Sequence, residues 1–411
     1  MKTIRFGIIG NTDSGKTTIT GILSKLPDGE YDDGRGYARS MMFTHKHEKE
    51  SGRTSSITRE TKVVDGKMLE FVDLAGHEAY LKTTIRGLCG YYIDYVLLIV
   101  GGNMGVSKMT REHLRLAYYL RIPIIVVVTK TDLAPPQILK QTLIDIKTEI
   151  KVYKGFTHKI RSQEEFSSDI IQRFLSEKVE KFYPIFCVSN KTGENIEMLK
   201  AFLAKCTGNQ KFNSEADCVF NIHSTYSPPG IGLVVSGVLQ SGTITKGQTL
   251  YMGPTLNKYV KVKVWSIHDD IRIPIDTCSA SMSVSLAIKV LDKADKELIT
   301  RDDIRCGSRI VQTPKMVHKF SAQIYVFKAS SNIAEGYEPL INCSSCCQVA
   351  KILKVSSANP KSLTPENLGA NELGSCTFQF KYSPQYIEEG TVFMFREGIT
   401  KGVGKVSECF K

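Results

Sequence analysis

Gly10-Asn11-Thr12-Asp13-Ser14-Gly15-Lys16-Thr17 places two glycines, a lysine and a hydroxyl at the spacing G-x-x-x-x-G-K-[ST]. That spacing suits the binding of a polyphosphate. The glycines let backbone N–H groups turn inward, the Lys16 ammonium meets the outer phosphates, and the Thr17 hydroxyl is a ligand for Mg2+. An apolar run, Ile4–Ile9, comes before the loop, and a helix-prone run, Thr18–Leu26, comes after it. The helix N-terminus then adds its own unbonded N–H groups and the positive end of its dipole. Gly10 through Thr18 are therefore assigned to a nucleotide. A glycine-rich turn with a chance lysine would also satisfy the motif, and the motifs further along argue against that reading.

Phe71-Val72-Asp73-Leu74-Ala75-Gly76-His77-Glu78 follows at the right distance. Asp73 closes a strand and can hold Mg2+ through water, the Gly76 amide can meet a γ-phosphate, and His77 stands where an attacking water would be oriented. Thr129-Lys130-Thr131-Asp132 follows another apolar strand. A carboxylate at Asp132 can accept both the N1–H and the exocyclic amine of guanine, whereas adenine offers the opposite pattern. The Lys130 stem would pack along the ring. Ser189-Asn190-Lys191 closes the series and can give a backbone N–H to the base oxygen. Four motifs in this order predict a GTP-binding domain with GTP or GDP and Mg2+ as cofactors.

These residues need a scaffold. Strand and helix patterns alternate from residue 1 to about 208, and several strands are continuous Ile/Val runs, as expected where helices cover both faces. The predicted strands are 3–9, 56–64, 68–73, 95–101, 124–129 and 185–189, with helices over 16–26, 79–88, 110–120, 136–153 and 195–205. This is a doubly wound α/β domain whose ligand lies beyond the carboxyl ends of the strands. Residues 28–55 lack periodicity and form a long loop, of a length usually kept for function. His45 and His47 within it read as surface histidines. The segment 155–182 reads as a mixed-charge helical insertion, Gln163 to Lys181.

From Cys218 onward, short alternating strands are separated by turns such as Pro228-Pro229-Gly230, Lys246-Gly247 and Gly253-Pro254. That is a β-barrel signature, and a second β run begins near His318. The expected domains are 1–213, a P-loop GTP-binding domain, then β-barrel domains at 214–313 and 314–411. Cys343, Cys346 and Cys347 have C-x-x-C spacing without a matching second pair, so buried strand thiols are expected. The longest apolar runs, Tyr95–Val100 and Ile122–Val128, are far shorter than the roughly 20 residues a bilayer needs. With no signal peptide pattern at the start, the reading is a cytoplasmic monomer with reduced thiols. A net charge of +12 suits a polyanionic partner such as RNA.

Taken together, the chain resembles the elongation factor Tu and elongation factor 1-alpha family of translational GTPases. Asp73–Glu78 matches that family's catalytic switch, Tyr226–Gly237 the start of its second domain, and Phe395–Gly398 with Gly404–Val406 the end of its third. The resemblance is closer still to the subgroup of GTP-binding proteins one and two, on Asp33-Gly34-Arg35-Gly36-Tyr37-Ala38-Arg39, His45-Lys46-His47-Glu48 and Gly52-Arg53-Thr54-Ser55-Ser56. It implies GTP hydrolysis, an aminoacyl-tRNA held partly by the second domain, and the ribosome as partner. The alternative is an adaptor GTPase in RNA surveillance or decay, and an exchange factor is a further possible partner. The resemblance aligns Ser56 with the family's Mg2+-binding threonine, with Thr54 as second choice. Thr12 and Ser55 stand where the family usually has apolar residues over the catalytic histidine. Thr129 stands where it usually has Asn, which implies a lost amide contact and looser nucleotide affinity.

Overall fold

Strand β1, Lys2–Gly10, is buried along nearly its whole length, and it forms the centre of the first sheet. A run of Ile and Phe buries well on both faces of a sheet only when helices cover both. In this computed structural model the described residues are 2–42, 57–165, 174, 182–255, 257–304, 307–358 and 366–410. The predicted Ser56 and Thr54 ligands, the Ser55 gate position, His45, His47 and most of the Gln163–Lys181 insertion lie outside them. The chain forms two compact units, Met1–Leu88 with Tyr92–Gln210, and Lys211–Lys411 with Cys89–Tyr91.

The first unit contains α1 (Lys16–Ser24), α2 (Tyr37–Ser40), β2 (Thr58–Val64), β3 (Lys67–Asp73), α3 (Leu81–Gly90), β4 (Tyr95–Gly101), α4 (Lys108–Tyr119), β5 (Ile124–Thr129), α5 (Pro136–Val152), β6 (Phe156–Lys159), β7 (Phe182–Cys187) and α6 (Ile196–Lys205). Its sheet runs β2-β3-β1-β4-β5-β7-β6. Among the described strands of this sheet, β2 alone is antiparallel to its neighbour. The chain leaves β1 towards β3 on one side and later returns to β4 on the other, so the order reverses at the carboxyl end of β1. Ligands of open α/β sheets bind at such a switch point, and the Gly10 loop starts there. One charged group interrupts the apolar centre: buried Arg5 donates from Nε to Glu70 Oε2 at 2.8 Å, and Arg59 meets Glu70 Oε1 at 3.1 Å.

Three elements of the first unit differ from the sequence reading, among them the short helix α2 inside the stretch read as a loop. The segment 155–182, in which a helical insertion is expected at Gln163–Lys181, opens ahead of that insertion with β6, which pairs in parallel with β7 at the sheet edge. A four-residue edge strand of mixed polarity, Phe-Thr-His-Lys, has too little alternation to be read as a strand. The helix expected from residue 79 starts as a 3-10 turn, Glu78–Tyr80, before α3.

The second unit carries two six-stranded antiparallel barrels. The first uses β8 (Val219–Tyr226), β9 (Leu233–Ser241), β11 (Thr249–Thr255), β12 (Lys258–Asp269), β15 (Ser283–Val290) and β16 (Arg309–Val311), closed by the β11–β12 pairing. Short β10 (Thr243–Thr245), β13 (Pro274–Ile275) and β14 (Thr277–Ser279) flank it, as does helix α7 (Lys293–Leu298). Gly253-Pro254, expected as a turn, lies inside β11 where the register slips between Met252 and Thr255; a bulge is where a strand tolerates proline. The second barrel closes β17 (Lys319–Lys328), β18 (Leu340–Cys343), β19 (Cys346–Ser357), β20 (Glu372–Phe380), β21 (Val392–Glu397) and β22 (Thr400–Phe410) in the order β17-β20-β19-β18-β21-β22. Cys343 and Cys346 face each other across the β18–β19 hairpin and are buried in its core. Burial pushes the Cys343 thiol up to about 12. Among the described residues, no helix is long and apolar enough to cross a membrane.

Candidate nucleotide-binding site

The phosphate loop is built by backbone that only small residues permit. Gly10 and Gly15 have φ of 150° and 87°. A Cβ on Gly10 would lie 2.2 Å from the Ile99 carbonyl oxygen of β4. From below, Gly10 donates its N–H to buried His113 Nδ1 of α4 at 3.0 Å. Gly15 caps α1, so the loop delivers its amides to a helix N-terminus. Lys16 opens that helix and is buried. Its Nζ donates to the Asn11 carbonyl oxygen at 2.7 Å, and Ser14 Oγ donates to the same oxygen at 2.8 Å. Burial lowers the Lys16 pKa, and the Asp73 and Asp13 carboxylates partly oppose the shift. A buried, hydrogen-bonded ammonium suits a polyanion that brings the countercharge.

The strand-terminal motif converges on the same point. Asp73 is buried at the end of β3, and its Oδ2 accepts from Thr17 Oγ1 at 2.7 Å. A hydroxyl and a carboxylate oxygen side by side are the hard oxygen donors that Mg2+ takes, so these residues fit the ion. Gly76 lies against the loop: a Cβ there would come within 2.3 Å of Lys16 Nζ and 2.7 Å of the Gly10 carbonyl oxygen. His77, the next residue, is exposed. It precedes the 3-10 turn, and its Nδ1 accepts from the Ala79 N–H at 3.2 Å. In the neutral ring this places the proton on Nε2.

The base-selecting motifs meet on the other side of the loop. Asp132 Oδ1 accepts from Ser189 Oγ at 2.7 Å, and Ser189 Oγ accepts from the Thr192 N–H at 3.1 Å. Lys130 has a left-handed backbone, φ 58°, which turns the chain sharply after β5. Thr129 is fully buried and donates from Oγ1 to the Ser14 carbonyl oxygen at 2.6 Å. Asn190 Nδ2 reaches the Gly15 carbonyl oxygen at 3.5 Å, the far end of hydrogen-bond range. The Thr129 hydroxyl and the neighbouring Asn190 amide thus tie the loops after β5 and β7 to the phosphate loop.

The sequence profile of the elongation factor Tu GTP-binding domain matches residues 1–209. The chain belongs to this elongation factor Tu family. It is 35% identical to GTP-binding protein 1 of Xenopus laevis over 99% of its own length and 64% of that relative, so it spans less than two thirds of the relative it matches. Its fold resembles two solved structures. The GTPase-like domain of Ski7 from S. cerevisiae, bound to GDP and inorganic phosphate, superposes with a TM-score of 0.76 at 14% identity, covering 99% of this chain and 97% of that one. The elongation factor SelB from Methanococcus maripaludis, in complex with the GTP analogue GPPNHP, does so with a TM-score of 0.70 at 20% identity, covering 99% and 79%.

In this elongation factor Tu-type domain, a cavity of about 330 Å3 opens between the phosphate loop and the base-selecting loops. Asp13, Gly15, Thr18, Lys130, Asp132, Asn190 and Lys191, all assigned to the nucleotide from the motifs, are brought together in its lining. One wall was not predicted as part of the site. Asp32, Gly34, Arg35, Gly36 and Arg39 also line the cavity, from the long loop read as kept for function but not assigned to the nucleotide. The Asp32 N–H donates to the Asn190 carbonyl oxygen at 2.9 Å, and a Cβ on Gly21 of α1 would come within 2.4 Å of the Ala38 carbonyl oxygen. Asp-Asp-Gly-Arg-Gly carries the turn chemistry that could have revealed an ordered loop. Nothing in the sequence signals that His113 lies beneath Gly10.

Proposed function

We propose that the protein binds GTP with Mg2+, hydrolyses it slowly alone, and uses the switch to hold the acceptor end of a charged tRNA for delivery to the ribosome. The observation that carries the RNA part is a pocket of about 420 Å3 on the first barrel. Gly230, Ile231, Leu233, Ile288, Lys289 and Trp265 are among its lining residues, and Trp265 is 64% exposed. Lys261, Lys263 and Trp265 share the outward row of β12, and Lys289 sits opposite Lys263 in the register of β15. An exposed indole among lysines can stack a base while the ammonium groups follow the phosphates. Tyr226–Gly237, the stretch that resembles the family's second-domain start, supplies part of this pocket.

In the nucleotide site, Lys16 neutralises outer-phosphate charge, Thr17 and Asp73 hold the ion, and Asp132 selects guanine. Thr17 and Asp73 would hold Mg2+, which would supply positive charge against that developing on the transferred phosphoryl group. His77 can orient the attacking water through Nε2–H without giving up its Ala79 cap. Filter binding tests the proposal. GTP-bound protein should retain charged tRNA in preference to uncharged tRNA, retention should fall steeply with salt, and Trp265→Ala with Lys289→Glu should reduce it at least tenfold. Equal retention with GDP and GTP at the same salt slope would reduce the RNA contact to non-specific basic attraction, and no retention of charged tRNA would favour the adaptor GTPase in RNA surveillance or decay.

A further inference from the structure

The segment Asp32–Arg39 sits on the nucleotide cavity, and its construction is specific. Its two acidic side chains face their own backbone. Asp32 is buried, and its carboxylate accepts from the Ala38 N–H at 2.8 Å and the Gly34 N–H at 3.1 Å. Asp33 Oδ1 accepts from the Arg35 N–H at 2.8 Å and the Tyr37 N–H at 3.1 Å, and these amides hold its pKa below the usual carboxylate range. The acids are therefore occupied in shaping the loop. Among the described residues, Arg35 and Arg39 form no ion pair, although the Arg35 charge also helps to lower the Asp33 pKa, and both line the cavity. Gly36, at φ 95°, leaves room for Arg39 to fold back over the turn; a Cβ there would lie 2.6 Å from Arg39 Nε.

The cavity's other walls show which part of a nucleotide this arm faces. Thr18, Lys130 and Asp132 line it, whereas the residues assigned to the outer phosphates and the ion, Lys16, Thr17, Asp73 and Gly76, do not. The arm thus flanks the inner half, from base to α-phosphate. Guanidinium forks pair well with phosphate and ribose oxygens.

We propose that Arg35 and Arg39 form an additional subsite of the guanine nucleotide site, in which Arg39 contacts the α-phosphate and ribose side of GDP and GTP alike and Arg35 reinforces it. The inference rests on GTP occupying this cavity but not on the RNA reading. Fluorescent (methylanthraniloyl) GDP and GTP, titrated separately into parent, Arg39→Ala, Arg39→Lys, Arg35→Ala and Lys16→Ala proteins, test it. One charge-assisted contact corresponds to on the order of tenfold in affinity. Arg39→Ala should weaken GDP and GTP by about tenfold each, with their ratio unchanged, Arg35→Ala by a smaller factor, and Arg39→Lys should recover part of the loss. Thermal denaturation without nucleotide should match the parent, which separates a lost contact from a lost fold. Arginine variants within twofold of the parent, while Lys16→Ala loses binding, would overturn the subsite and leave the nucleotide site standing. A loss confined to GTP would overturn the α-phosphate assignment in favour of the γ-phosphate. Parent-like binding by Lys16→Ala would show that nucleotide does not bind here at all.

Discussion

The two halves of the nucleotide site are built to different standards. On the inner side, the functional side chains are already held by protein. Asp132 is oriented by Ser189, Thr129 is fixed on the Ser14 carbonyl, and Asp32 anchors the loop that carries the arginines. On the outer side, Lys16 rests on Asn11 and Thr17 on Asp73, partners that a phosphate and an ion would share or displace. His77 faces solvent and caps its own turn. Preformed binding geometry gives affinity, while an exposed catalytic group needs a further event to place it. The difference fits the proposal that this chain preforms its nucleotide contacts and leaves His77 to be placed by a partner.

Lys16→Ala should show the largest effect that could break this comparison. It removes the one buried ammonium of the phosphate loop, and binding of GTP and GDP should fall by at least a hundredfold by calorimetry or nucleotide exchange. A small change would mean the outer half contributes little to affinity. Next, Asp132→Asn replaces one acceptor with a donor and leaves a guanine donor unpaired, which costs about 1–3 kcal/mol. GTP affinity should drop at least tenfold while xanthosine triphosphate affinity rises, measured by competition. Thr129→Val should be milder. It leaves the Ser14 carbonyl oxygen without its 2.6 Å donor, and the loss, about 1–3 kcal/mol in stability for a buried unsatisfied group, should appear as a lower melting temperature and a few-fold weaker GDP binding. If Thr129→Val binds GDP like the parent, the tie between the two loops is structural only.

How much of this was legible in the sequence follows the same division. The motifs at 10–17, 73–76, 129–132 and 189–191 are local, and each pairs a strand end with residues whose chemistry is fixed by spacing, so one chain sufficed to find them. The alternating barrels were also readable, because their inward rows repeat every second residue. The arginine wall was not, since Arg35 and Arg39 meet the cavity only through an irregular loop shaped by the Asp32 and Asp33 side chains. His113 was hidden for a similar reason: it reaches Gly10 from 103 positions away, on a helix whose pattern looks ordinary. The edge strand β6 is too short and too polar to announce itself.

The central claim, that binding is preformed and catalysis is not, is tested most directly through His77. Single-turnover GTP hydrolysis should be measured for parent and His77→Ala, with and without ribosomes, alongside GTP affinity. Affinity should stay within about threefold, under 1 kcal/mol. The parent should be slow alone and stimulated on the order of 10³–10⁵-fold, by analogy with other partner-stimulated GTPases, and His77→Ala should lose most of that stimulation. A His77→Ala protein that hydrolyses GTP at the parent's stimulated rate, or one that no longer binds GTP, would contradict the account.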